Sequence, residues 1–220
     1  MRTLIGIFSM AILTAAIPAK SALAQHGSCT PGGGSPAGTV SSELRSAATA
    51  AALAYNSGLH SVRRAQEYDA QALKASTPEK AARSRERAQA AYRESISALV
   101  AAVTAQPTMY KAWNYLGFAD RHLGNYDEAL SAYAKVLELN PHNLDAIENR
   151  GEVYLDANQI EDAKSAYMDL SLDSRSQANA LMSAIRRWIE LRRQDAQGVT
   201  PTDIEGLAKW TDEHAPIATQ

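Results

Sequence analysis

Apolar side chains recur at intervals of three and four along most of the chain and show no convincing alternation, a pattern that predicts helices and no strands. Leu44, Ala48, Ala51, Tyr55, Leu59 and Val62 mark one face of a long first helix, expected over 41–75. Ser41 or Ser42 would cap it, with Glu43 in its first turn. Gly58 interrupts the stripe at a cost of ~1 kcal/mol relative to alanine, so a kink is expected there. Ser76-Thr77-Pro78-Glu79 is a restart signal: a hydroxyl cap, a proline in the first turn and a glutamate three residues after Ser76. The next helix is expected from Pro78 to Ala105. Its first half is charged, through Lys80, Arg83, Arg85, Glu86 and Arg87, and its second is apolar, through Tyr92, Ile96, Leu99, Val100 and Val103. Pro107 then blocks continuation. The basic half reads as a solvated helix end, because Glu79, Glu86 and Glu94 dilute it.

From Tyr110 the pattern repeats itself. Tyr110–Asn143 and Leu144–Gln177 are two copies of one helix–turn–helix, offset by 34 residues, so that Gly117 meets Gly151, Ala129 meets Ala163 and Tyr133 meets Tyr167. In the first copy Trp113, Leu116 and Gly117 stand near the start of one helix. Gly124-Asn125-Tyr126 makes the turn, Ala129, Tyr133 and Val136 face inward from the second helix, and Pro141 ends it. In the second copy Ile147 and Arg150 replace Trp113 and Leu116. Gly151, Tyr154, Ala163 and Tyr167 keep the pattern, and Asn158 serves the turn because asparagine tolerates the left-handed region. Tyr92, Ser95, Leu99 and Ala102 precede Tyr126, Ala129, Tyr133 and Val136 by the same 34 residues. A third, degenerate copy is therefore expected within the N-terminal helical pair, 41–109.

The string W-x-x-L-G, then G-x-Y-x-x-A-x-x-x-Y, then P, resembles the tetratricopeptide repeat family, firmly over 110–177 and loosely over about 100 residues. The resemblance implies an all-α, right-handed superhelix of helical hairpins, serving protein binding and no catalysis. One repeat cannot cover its own apolar face, so neighbours must stack. In that family the first helix of each repeat lines the concave face. By position, the first copy would then offer Lys111, Asn114, Tyr115, Phe118, Arg121 and His122. The second would offer Asp145, Glu148, Asn149, Glu152, Leu155 and Asp156. The resemblance so implies a groove positive and aromatic at one end and acidic at the other, with basic side chains of an extended partner lying over the second copy. The two-carboxylate clamp of some chaperone-binding relatives needs a cationic, amide-rich groove, and the acidic second copy argues against it.

Beyond the repeats, Ala178, Leu181, Met182, Ile185, Trp188 and Ile189 form another stripe, with Arg186, Arg187, Arg192 and Arg193 on its other side. Gly198 stops this helix. Thr200-Pro201-Thr202-Asp203 starts a short last one carrying Ile204, Leu207 and Trp210, so 178–220 reads as a cap in which Trp188 and Trp210 pack. At the other end, Arg2, the apolar run Leu4 to Ile17 and Ala22-Leu23-Ala24 read as a secretory signal over 1–24. Residues 25–40, with Gly32-Gly33-Gly34, Pro31 and Pro36, read as a flexible tether. The expected location is periplasmic or secreted, with anchoring through an uncleaved signal or a lipidated Cys29 as the alternative. His26 stands where a lipoprotein box carries leucine.

Composition narrows the function. Of 220 residues 45% are hydrophobic, with alanine abundant among them, and the formal net charge is -2, which gives no basic excess for nucleic acid. Cys29 is the one cysteine, so no internal disulfide forms. There is no H-E-x-x-H, no phosphate loop, no G-x-G-x-x-G and no G-x-S-x-G. His26, His60, His122, His142 and His214 lack ligand spacing. No catalytic residue, metal or cofactor is expected. The expected function is a non-enzymatic scaffold of the bacterial cell envelope. The competing expectation is a self-associating subunit, a homo-oligomer built through the apolar face of the first helix.

Overall fold

The structure is a computed structural model that describes residues 36–219. The signal over 1–24, most of the tether, His26 and Cys29 lie outside them. Among the described residues there are eight helices and no strand: α1 (Pro36–Leu73), α2 (Pro78–Ala105), α3 (Tyr110–Leu123), α4 (Tyr126–Leu139), α5 (Leu144–Asp156), α6 (Ile160–Asp173), α7 (Arg175–Gln194) and α8 (Pro201–Thr219). The first helix starts at Pro36 and not at Ser41, so 36–40 is helical and not tether; proline suits a first turn, whose N–H would lack a partner anyway. The last helix is longer than the short one expected. No described helix is long and apolar enough to cross a membrane.

Local chemistry explains the boundaries. The cap of α2 is Thr77, not Ser76: its hydroxyl accepts from the Lys80 N–H at 3.3 Å, directly before Pro78. Gly124 ends α3 in the left-handed region at φ 80°, and Asn158 does the same between α5 and α6 at φ 60°. Asn143 caps α5, its side chain accepting from the Ala146 N–H at 2.9 Å. Ser174 closes α6 and opens α7 at once: its N–H bonds the Leu170 carbonyl, and its hydroxyl accepts from the Gln177 N–H.

The helices pair as α1/α2, α3/α4, α5/α6 and α7/α8, and successive pairs stack. Among the described residues α3 touches α5 and α5 touches α7, whereas α2 and α4, or α4 and α6, do not meet. From α2 to α6 the first helices meet while the second spread, which curves that part of the layer with α3 and α5 on the inside; α7 continues their row, and there α6 and α8 also meet. The pair α7/α8 extends the stack as a further hairpin.

Small residues set the crossing points. A Cβ at Gly58 would fall 2.6 Å from Leu99 Cγ, one at Gly117 2.9 Å from Tyr133 Cζ, and one at Gly151 2.7 Å from Leu181 Cδ2. Gly58 thus marks the close approach of α1 to α2 within a helix that runs through it uninterrupted. Leu99, Tyr133 and Tyr167, one period apart, are all fully buried. Trp188 is 4% exposed, and Trp210 packs edge-on to Tyr167 at 5.3 Å, so both tryptophans belong to the cap. The Tyr167 hydroxyl adds a hydrogen bond to the His214 carbonyl at 3.1 Å.

The stripe expected to mediate self-association is divided within the chain. Ala51 and Val62 are buried, and Tyr55 lies against Tyr115 of α3 with ring centroids 6.1 Å apart. Leu44 and Ala48 stay exposed.

The copies differ at two positions with energetic meaning. Arg150 stands where the first copy has buried Leu116; its guanidinium lies 5.9 Å from the Tyr154 ring and its buried Nε lacks a partner. Asp120 stands where the second copy has Tyr154. It is 6% exposed and accepts from Asn125 Nδ2 at 3.0 Å, and burial raises its pKa above the usual carboxylate value. A carboxyl whose pKa is raised on folding favours the fold below its unfolded pKa, and that advantage is lost as pH rises through the folded value. Asp120→Asn is therefore expected to raise the melting temperature at pH 7 by roughly 2–4 °C. Melting curves at pH 3 should show no gain, since the wild-type carboxyl is then neutral too.

Candidate functional site

The candidate surface is the inner row of α3, α5 and α7. At the start of these helices Lys111 is exposed, and Asn114 is half-buried with its amide oxygen lacking a partner. Asp145 of α5 is exposed and accepts from Gln177 Nε2 of α7 at 3.1 Å. Glu148 and Asn149 are half-buried one turn on. Burial first, then the charges of Glu152 and Asp145, push the Glu148 carboxyl up.

The far end is bound together. Arg121 closes the last turn of α3, where positive charge suits the helix dipole. Glu152 and Asp156 share one face of α5 at the i, i+4 spacing. Arg121 Nε donates to Asp156 Oδ2 at 2.7 Å and its Nη1 to Glu152, a fork that joins the two copies. Side-chain exposures are 17% for Arg121, 20% for Glu152 and 35% for Asp156, so water screens the cluster only in part. Burial opposes the charge on Arg121, but Glu152 and Asp156 outweigh it and raise its pKa. The second Glu152 oxygen lies 4.0 Å from Arg187 of α7.

The expected charge polarity is thus corrected in part. Arg121 neutralises Glu152 and Asp156 across α3 and α5, while Lys111, Asp145 and Glu148 form no ion pair with a described residue. The aromatic end is partly covered: Phe118 and His122 pack on Tyr92 of α2, with His122 stacked on that ring at 4.7 Å, and Tyr115 meets Tyr55, although His122 keeps an exposed edge and Tyr115 and Phe118 are half-buried. Burial, with Arg121 beside it, lowers the His122 pKa. Tyr92 in turn donates to Asp69 at 2.8 Å. Leu155 is buried, and it forms part of the wall of the cavity beside Arg121. Lys111, Asn114, Asp145, Glu148 and Asn149 remain as polar groups along the strip.

Arg187, Trp188, Leu191 and Arg192 of α7 also line this face, around a cavity of about 100 Å³ beside Arg121, Glu152 and Asp156. These were missed because α7 reads as a cap. A signal was present: Arg187 follows Glu152 by 35 positions, as Asp156 follows Arg121. No described group of three or more His, Cys, Asp or Glu could hold a metal ion.

Comparison with known proteins agrees with the geometry. No curated protein matches the chain. Residues 110–143, which are α3, α4 and the connection that follows, match the family model described as tetratricopeptide repeat, a unit of protein–protein interaction modules. The chain folds as an all-α solenoid of tetratricopeptide-like helical hairpins.

Proposed function

We propose that the chain is a non-enzymatic interaction scaffold of the bacterial cell envelope, which holds an extended segment of a partner protein along the inner face of α3, α5 and α7. The observation that carries this is the fork of Arg121 on Glu152 and Asp156, which fixes two repeats at one spacing and leaves a polar strip beside it. A preformed strip spends less free energy on ordering when a partner binds. The envelope assignment is supported by the leader-like composition of 1–24. With Glu152 and Asp156 occupied by Arg121, basic side chains of the partner fall over Asp145 and Glu148.

Site-specific photocrosslinking tests the surface. A photoreactive residue at Asn149, on the inner face, is expected to trap a protein from the envelope fraction that one at Asp169, exposed on outer helix α6, does not. The same products from both positions would remove the inner face as the site. Asp145→Lys with Glu148→Lys should abolish the Asn149 product; an undiminished product would exclude the acidic strip.

A further inference from the structure

On the reading of this inner face as a protein-binding surface, we propose that its α7 end takes an acidic side chain of the partner, flanked by an apolar one. The carboxylate would sit between Arg187 and Arg192, and its apolar neighbour on Leu191.

Three observations support the chemistry. First, charge is in surplus. Three guanidinium groups and two carboxylates line the cavity, and Arg121 already occupies both carboxylates. Arg187 is 70% exposed and reaches Glu152 only at 4.0 Å, so most of its donors face water. Second, Arg192 is set in place before any partner arrives. Its Nε donates to Asn158 Oδ1 at 3.2 Å and its guanidinium lies 5.1 Å from the Trp188 ring centroid. Asn158 is itself held in the left-handed turn by a bond to the Gln197 carbonyl at 3.2 Å. The terminal amines of Arg192 make no hydrogen bond to a described residue, and a planar fork presents such donors in the geometry a carboxylate accepts. Third, Trp188 lines the same cavity, is 4% exposed, and its buried indole N–H has no partner. A buried donor without an acceptor is costly, and a side-chain rearrangement that let an incoming oxygen reach it would relieve that cost.

Size and surroundings decide among anions. About 100 Å³ is well below the roughly 300–1,000 Å³ of a small-molecule site and suits the end of one side chain. Leu191, 53% exposed beside the arginines, offers apolar surface that a free phosphate would not use.

The test uses the full chain, labelled with nitrogen-15, and acetylated twelve-residue peptides of repeating Ser-Glu-Leu. Versions with glutamine, lysine or phosphoserine in place of glutamate run beside it. The Trp188 indole resonance, assigned by its loss in Trp188→Phe, is expected to move with the glutamate peptide and stay still with glutamine or lysine. Arg187→Glu with Arg192→Glu should weaken binding at least ~tenfold, the equivalent of one charge-assisted contact. Arg83→Glu with Arg186→Glu, both exposed and outside the cavity, should leave it unchanged and controls for net charge. Equal response to the glutamine peptide, full affinity in the Arg187/Arg192 variant, or response to phosphoserine alone would each overturn the proposal. A silent Trp188 alongside a positive Asn149 crosslink would sink this site and leave the interaction reading intact.

Discussion

Tyr133→Ala is expected to remove about 4 kcal/mol of stability, while Tyr133→Phe should cost nothing or stabilise slightly. The ring is fully buried between α3 and α4, with its edge against Gly117. Truncation would leave a void where the two helices of the first copy cross. Interiors relax only in part around such voids, which is why aromatic truncations cost ~3–5 kcal/mol. The hydroxyl behaves differently. It is buried without a hydrogen-bond partner, and burial raises its pKa, so it remains a neutral phenol that has lost its water. Urea titrations of the three proteins give the comparison. A loss above ~1 kcal/mol for Tyr133→Phe would mean that the hydroxyl is bonded after all.

Arg121→Ala is the second large effect, expected at about 2–3 kcal/mol. Breaking one side of a buried ion pair costs ~3–5 kcal/mol, because the other side is left charged and unsolvated. Here the partners are 20% and 35% exposed, so water recovers part of that cost. Arg121→Lys should rescue little, since an ammonium cannot reach Glu152 and Asp156 in the fork geometry of a guanidinium. A double-mutant cycle with Glu152→Ala should show a coupling of at least ~1 kcal/mol in denaturant titrations. Additive losses would mean that the fork does not join the repeats.

Much of the architecture is legible in one dimension. The period of 34 residues, the left-handed positions at Gly124 and Asn158, and the proline at the head of α2 are local signals, and each marks a boundary. Thr77 as the cap was legible too, since a proline in the first helical position requires the cap directly before it. Gly58 was not. A glycine within a helix reads as a weak point until the helix opposite is known, and here that helix brings Leu99 against it. The charge pattern of the inner face failed for a related reason. Position-by-position alignment pairs residues 34 apart, while Arg121 reaches residues 31 and 35 positions on, across the stacking of one hairpin on the next. Acidic and basic faces read separately from two copies therefore look like poles, when folding brings them together.

Ser174 gives the C-terminal end a mechanical character. Two helices that share one residue as terminus and start have no slack between them, unlike the four-residue connection after Leu139 or Ala105. The terminal hairpin cannot swing on a hinge independently of its neighbour. A load applied at Arg187 or Arg192 would pass straight into α5 and α6, so a bound segment would be gripped by a stiff lever and not by a swivelling lid.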